Sequence, residues 1–260
     1  MDPGKMKRLR RILPDRRTVI VPMDHGVTIG PVKGLTNMQQ QVSNLIDGGA
    51  DAIIVHKGIA KNVQSENLGL IIHVSGSTKL SLQPNLKVPV CSIQEAIRLG
   101  ADAISLQVNV GGSGEKEMLT MLGKASDECD QYGIPLLAMM YPRGEKVTNE
   151  HDLEVVAHVA RLGAELGADI VKTNYTGSTK TFKEVVDSCP VPVVIAGGPQ
   201  AETAGQVLEM VYDALSVGCA GVSIGRNVFQ HEDPARMTKA LAALVHKKAS
   251  LKEAMSLLGD

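Results

Sequence analysis

One short pattern recurs four times and limits the fold more than any other feature of the chain. Asp47-Gly48-Gly49-Ala50-Asp51-Ala52-Ile53-Ile54-Val55 returns as Leu99-Gly100-Ala101-Asp102-Ala103-Ile104-Ser105-Leu106. It returns again as Leu166-Gly167-Ala168-Asp169-Ile170-Val171, and more loosely as Val217-Gly218-Cys219-Ala220-Gly221-Val222-Ser223-Ile224. Each copy follows an amphipathic stretch. Glycine supplies a helix C-cap in the left-handed region, the next residue packs beneath it, and an apolar strand begins. Every copy therefore reads as an αβ junction.

Four further β-rich runs, at 18–23, 70–74, 135–140 and 192–196, bring the expected strands to eight. They are apolar throughout rather than alternating, as parallel strands covered on both faces are. Helical periodicity marks 37–46, 93–98, 117–131, 152–165, 181–187, 202–216 and 234–248, whereas the link from Ile54 to Leu70 has no clear helical period. Eight βα units over 260 residues predict a (β/α)8 TIM barrel with a parallel eight-stranded core. A doubly wound sheet would place G-x-G-x-x-G after its first strand, and Met23-Asp24-His25-Gly26 is not that motif. No Ser/Gly-rich linker divides the chain. The expectation is one domain over 1–260, with a basic, helical extension over about 1–17 and a short helix near 251–258.

Composition narrows the function. Lys+Arg 27 against Asp+Glu 28 leaves a net charge of −1, which argues against general nucleic-acid binding, and 2% aromatics leave little for base stacking. Cys91, Cys129, Cys189 and Cys219 are scattered without a C-x-x-C, as core residues in a reducing compartment are. The charged N-terminus has no apolar stretch behind it, and no run of about 18 apolar residues could span a membrane. The cytoplasm is the expected location.

The active end of such a barrel lies at the C-terminal ends of its strands. Those ends read Asp24-His25-Gly26, His56-Lys57-Gly58, His73-Val74-Ser75-Gly76, Gln107-Val108-Asn109, Tyr141-Pro142-Arg143-Gly144, Lys172-Thr173, Gly197-Gly198-Pro199 and Gly225-Arg226-Asn227. Lys172 ends a buried strand, where an ammonium wants a partner or a lowered pKa. A structural lysine would pair or snorkel; a reactive one would attack a carbonyl to form a Schiff base. Lys57 is the rival, in a more loop-like setting. Asp24 and Tyr141 would serve the proton transfers that imine chemistry requires. Gly197, Gly198, Gly225 and Arg226 follow strands seven and eight, where barrels commonly bind phosphate. His25, His56 and His73 end three successive strands, where three imidazoles could hold a zinc ion, but no recognised ligand spacing is present.

Five motifs occur together in one order: Val21-Pro22-Met23-Asp24-His25-Gly26, Ala138-Met139-Met140-Tyr141-Pro142-Arg143-Gly144, Ile170-Val171-Lys172-Thr173, Ala196-Gly197-Gly198-Pro199, and Gly225-Arg226-Asn227-Val228-Phe229-Gln230-His231. Through them the whole chain resembles the archaeal-type class I aldolases. Pro22-Met23-Asp24 and Met139-Met140-Tyr141, in a chain with no Trp, resemble the family's transaldolase-type synthases more than its fructose-1,6-bisphosphate aldolases.

The resemblance implies that Lys172 forms an imine with a ketone of 6-deoxy-5-ketofructose 1-phosphate. A three-carbon unit then passes to L-aspartate semialdehyde, an early step toward 3-dehydroquinate and the aromatic amino acids. It further implies Asp24 as proton acceptor and Tyr141 as donor, and phosphate on Gly197, Gly198, Gly225 and Arg226. His25, Gly26, Val27, Thr28, Pro142 and Arg143 would line the rest. No cofactor or metal is called for, the partners are small-molecule substrates rather than nucleic acid or membrane, and a homo-oligomer, even a large ring, is expected. The competing readings are a fructose-bisphosphate aldolase, a non-catalytic phosphosugar-binding barrel and a metal-dependent aldolase.

Overall fold

The junctions form as their residues dictate. In the computed structural model, which describes residues 2–65, 67–198 and 200–259, Gly49, Gly100, Gly167 and Gly218 have φ of 81°, 86°, 93° and 99°. The aspartates that follow share one task. Asp51 accepts from the Val19 amide at 2.6 Å, Asp102 from Leu70 at 2.9 Å and Asp169 from Leu136 at 2.8 Å. Each carboxylate thus ties the start of its own strand to the strand before it. The looser fourth copy has Ala220 at that position, and only its backbone amide makes the link, to the Val193 carbonyl at 2.8 Å.

Among the described residues the strands β1 (Thr18–Pro22), β2 (Ala52–Val55), β3 (Gly69–His73), β4 (Ala103–Val110), β5 (Leu136–Pro142), β6 (Ile170–Thr173), β7 (Val193–Ala196) and β8 (Gly221–Ser223) form one closed parallel barrel. Each pairs with its neighbours in the chain, and β1 closes on β8 with Thr18 opposite Gly221 and Ile20 opposite Ser223. That seam needs a glycine. Gly221 has φ +146°, and a Cβ there would lie 2.0 Å from the Thr18 carbonyl oxygen.

The helices α1 (Pro3–Ile12), α2 (Met38–Gly48), α3 (Ile93–Arg98), α4 (Glu115–Gln131), α5 (Leu153–Glu165), α6 (Thr179–Ser188), α7 (Ala204–Ser216), α8 (Pro234–Lys247) and α9 (Leu251–Ser256) follow the periodic stretches read above. Polar N-caps set their starts: Asn37, Asp152, Ser178 and Thr203 each accept from an amide in the first turn. Among the described residues the unperiodic link after β2 holds only the single turn Lys57–Ala60. A two-residue antiparallel pair, Ser75–Gly76 with Val88–Pro89, frames the loop 77–87. Pro199, in the fourth family-like motif, lies outside the described residues.

Two cores result. Outward-facing strand residues pack with the helices, while Ile20, Ile54, Ile71, Leu137, Ile170 and Val194 fill the barrel interior. The basic extension is α1, and it closes the N-terminal end: Ile12 and Leu13 join the interior cluster. Its charges meet the junction aspartates, Lys5 with Asp169 at 2.8 Å and Arg11 with Asp102 at 3.4 Å. No helix of the described residues is long and apolar enough to cross a membrane.

The seam and the junctions predict different sensitivities. Gly100 has open space where a Cβ would go, so Gly100→Ala should cost only the strain of positive φ, about 1–2 kcal/mol. Gly221→Ala must push two paired strands apart and should cost clearly more. Chemical denaturation of the two variants checks the order.

Candidate active site

At the C-terminal mouth of the barrel the inward positions turn polar. They open into a cavity of about 280 Å³. Lys172 is next to last on β6, in register with Met139 on β5 and Val194 on β7. It is 6% exposed, and its ammonium makes no hydrogen bond or ion pair with the described residues. Burial pulls it down to about 8, with Arg226 pushing the same way and Asp24 opposing. About a tenth of it is therefore the neutral amine at pH 7. Lys57, the rival, sits outside this cavity and is held by Glu95 at 2.9 Å.

Asp24 stands directly beyond β1, ahead of the helical turn His25–Ile29. Burial alone would raise its carboxyl, but the positive fields of His73, His25, Lys172 and His56 outweigh that and hold it below the usual range. His73 is itself driven down to about 4 by burial, so at neutral pH it is uncharged, and Lys172 is an ammonium whose field favours the Asp24 carboxylate. Tyr141, inward on β5 and 8% exposed, has its phenol raised by burial and therefore stays protonated. Arg143 lies 5.3 Å from the Tyr141 ring centroid and makes two 2.9 Å hydrogen bonds to the Glu150 carboxylate.

The loops after β7 and β8 are bound to each other. Asn227 donates to the Gly197 carbonyl at 2.9 Å, and Arg226 Nη2 to Gly198 at 2.8 Å. Arg226 Nε and Ser223 Oγ, like His25 Nδ1 across the cavity, are buried without a hydrogen-bond partner among the described residues. Unpaired buried donors beside a cavity await a ligand, and an anion is what a guanidinium suits.

The cavity brings together Asp24, His25, Thr28, Tyr141, Arg143, Lys172, Gly197, Gly198, Gly225 and Arg226. Gly26, Val27 and Pro142 are not in its wall, and the Val27 side chain lies against Gly76 instead. The three histidines gather around Asp24 rather than around a metal position: His25 Nδ1 and His73 Nε2 lie 3.7 Å and 3.9 Å from its carboxylate, and His56 stands edge-on to His73 with ring centroids 5.3 Å apart. His56 Nδ1 contacts the His73 carbonyl at 3.1 Å, His73 is bound by Ser105 at 2.8 Å and Ser75 at 3.2 Å, and His25 packs edge-on to Phe229. Among the described residues no set of three His, Cys, Asp or Glu side chains is placed to hold a metal ion.

Lys87, Asn174 and Ser223 also line the cavity. A period-two reading would have found Asn174 from Lys172, and Ser223 from Gly225. Nothing in the pattern marks Lys87, which enters from the loop 77–87 rather than from a strand end.

A buried lysine with no partner, beside a carboxylate and a phenol at the mouth of a parallel (β/α)8 barrel, has the anatomy of a Schiff-base aldolase. The chain belongs to the DeoC/LacD family aldolases, whose model matches residues 18–231. It is 47% identical to 2-amino-3,7-dideoxy-D-threo-hept-6-ulosonate synthase 1 of Archaeoglobus fulgidus, over 99% of this chain and 96% of that protein. It is 41% identical to the synthase of the same name from Halobacterium salinarum, over 99% and 97%. An archaeal fructose-1,6-bisphosphate aldolase, solved with its catalytic Lys covalently bound to the carbinolamine intermediate, superposes with a TM-score of 0.87 at 33% identity, covering 93% of this chain and 99% of that one.

The depressed lysine carries a sign that can be checked. Between about 8 and the ordinary 10.5, the unfolded lysine holds a proton that the folded one has lost, so folding stability rises with pH across that window. Wild type should gain roughly 3 kcal/mol on Lys172→Met over this interval. Urea unfolding of both proteins at a series of pH values measures it.

Proposed function

We propose that this protein is a 2-amino-3,7-dideoxy-D-threo-hept-6-ulosonate synthase. It moves a three-carbon unit from 6-deoxy-5-ketofructose 1-phosphate to L-aspartate semialdehyde. The observation that carries the mechanism is the buried, partner-free Lys172 facing Asp24 and Tyr141 in one cavity. Near-full-length identity to curated synthases supports the choice of reaction within the family.

The product is a methyl ketone, and aspartate semialdehyde brings four of its seven carbons. The transferred unit is therefore the methyl-ketone end of the donor. Lys172 Nζ adds to the ketone beside the methyl group, Tyr141 gives a proton to the developing alkoxide, and loss of water leaves the protonated imine. Asp24 removes the proton of the hydroxyl group at the scissile bond. That bond breaks, its electrons pass into the imine as an enamine, and the phosphorylated dicarbonyl fragment departs. The enamine carbon then attacks the aldehyde of aspartate semialdehyde, whose oxygen takes a proton back. Water hydrolyses the new imine, freeing the product and the lysine.

The dry site makes the amine partly neutral, and the imine serves as the electron sink. The donor phosphate rests on Gly197, Gly198, Gly225 and Arg226, where the unpaired Arg226 Nε supports an anion. His25 and Thr28 complete the wall on the β1 side. Four free cysteines fit the reducing cytoplasm. Assembly into a homo-oligomer belongs to the same reading, and Leu80, 88% exposed, is apolar surface that a second copy would cover.

Three outcomes are expected. Borohydride with the donor should add covalent mass at Lys172, found by peptide mass spectrometry; an adduct at Lys57, or none, defeats the proposal. Turnover should require both the donor and aspartate semialdehyde, whereas rapid cleavage of fructose 1,6-bisphosphate alone would assign the chain to the bisphosphate aldolases. Tyr141→Phe and Asp24→Asn should each lower kcat by roughly 100- to 10,000-fold.

A further inference from the structure

A second lysine shares the cavity, and the reaction steps above leave it unused. Lys87 lines the wall and is 7% exposed. Its one hydrogen bond runs from Nζ to Ser77 Oγ at 2.7 Å, and it has no ion pair among the described residues. An ammonium has three donors, and burying it beside a single neutral oxygen is unfavourable unless a counter-charge arrives. Burial, then the nearby Arg143, pull its pKa below the ordinary lysine value, and Asp24 only partly opposes them.

The position is also fixed. Ser77 Oγ donates onward to the Pro84 carbonyl at 2.6 Å, the Lys79 amide donates to Thr28, and Asn109 donates to the Asn85 carbonyl at 2.6 Å. The loop 77–87 is thus tied to β4 and to the turn after β1. It holds a bare cation ready-placed.

The other cations of the cavity are accounted for. Lys172 is the nucleophile, Arg143 is matched by Glu150, and Arg226 lies on the phosphate loops. Lys87 enters beside β3 and β4: it directly precedes Val88, which pairs with Gly76 just past β3, and its loop is tied to Asn109 of β4. In a ring of eight strands, β3 and β4 stand across from β7 and β8. Two unmatched cations on opposite sides of one lysine call for two separate anionic groups. The donor supplies one, its phosphate. The acceptor of the proposed reaction supplies the other, its carboxylate. A lone lysine with one neutral neighbour suits a monoanion, whereas a phosphate takes several donors, as the β7 and β8 loops offer.

Resting on the function proposed above, we infer that Lys87 is the specificity-determining anchor for the carboxylate of the aldehyde acceptor. Lys87→Met should raise KM for L-aspartate semialdehyde by roughly 10- to 100-fold, the value of a charged hydrogen bond, with little change in kcat. Lys87→Arg should restore most of the loss. Use of butanal, an aldehyde with no carboxylate, should be the same in wild type and Lys87→Met, as should borohydride trapping of the donor on Lys172.

Equal KM values for the semialdehyde overturn the inference, as does a parallel loss with butanal. Loss of donor trapping in Lys87→Met gives Lys87 to the donor phosphate and also overturns it. So does an unchanged semialdehyde KM with collapsed use of glyceraldehyde 3-phosphate. Failure of trapping in wild type defeats the parent reading and this one with it, and is told apart because it occurs without any substitution.

Discussion

The barrel depends on one close approach. At the seam of β1 and β8 the Thr18 carbonyl occupies the space that a side chain at 221 would need. Only glycine lets the first and last strands pair, and that pairing turns a sheet into a ring. Once closed, the ring has no free edge, and alternate residues of every strand face an interior of fixed width. All the chemistry of the protein follows from how that interior is graded.

At the N-terminal end the interior is apolar and sealed, with Ile12 of α1 and Leu13 just past it below Ile20, Ile54, Ile71 and Leu137. Two or four residues further along, the same inward rows reach Asp24, His73, Tyr141 and Lys172. The apolar floor is what makes those groups behave unlike their counterparts in water. It pulls Lys172 down to about 8 and His73 to about 4, and raises the Tyr141 phenol. A surface lysine such as Lys57, paired with Glu95, shows the contrast: its pKa is raised rather than lowered. The partly neutral amine and the protonated phenol are products of burial, and burial is a product of closure.

Much of the architecture was legible in the chain because its signals are local. A glycine after an amphipathic stretch, then a small residue and an apolar run, defines an αβ junction wherever it occurs. The four copies gave half the strands and, with them, the register of Lys172 at the end of β6. Local signals also placed the helix starts, through Asn37, Asp152, Ser178 and Thr203. What the repeat did not reveal was the second task of its aspartates. Asp51, Asp102 and Asp169 tie neighbouring strands through the amides of Val19, Leu70 and Leu136, partners 32 or 33 residues away. Two of them also receive the charges of α1, so the basic N-terminus that looked like an extension is part of the barrel floor.

The site divides along the same line. Strand-end residues were found from sequence, since a parallel barrel puts each strand end at one mouth. Lys87 was not, because a loop lysine at no special spacing looks like any solvated lysine until the fold buries its side chain in the cavity wall, at the end of a loop whose residues 78–85 stay exposed. That Lys172 pairs with none of the described residues, that Arg143 pairs with Glu150 and that the three histidines close around Asp24 are likewise facts of packing. By itself the sequence determined the barrel, the strand that carries the lysine and the family of reactions, because these rest on residue type and local period. Only the tertiary structure decided which charges go unmatched, because desolvation and partners are set by neighbours distant in the chain.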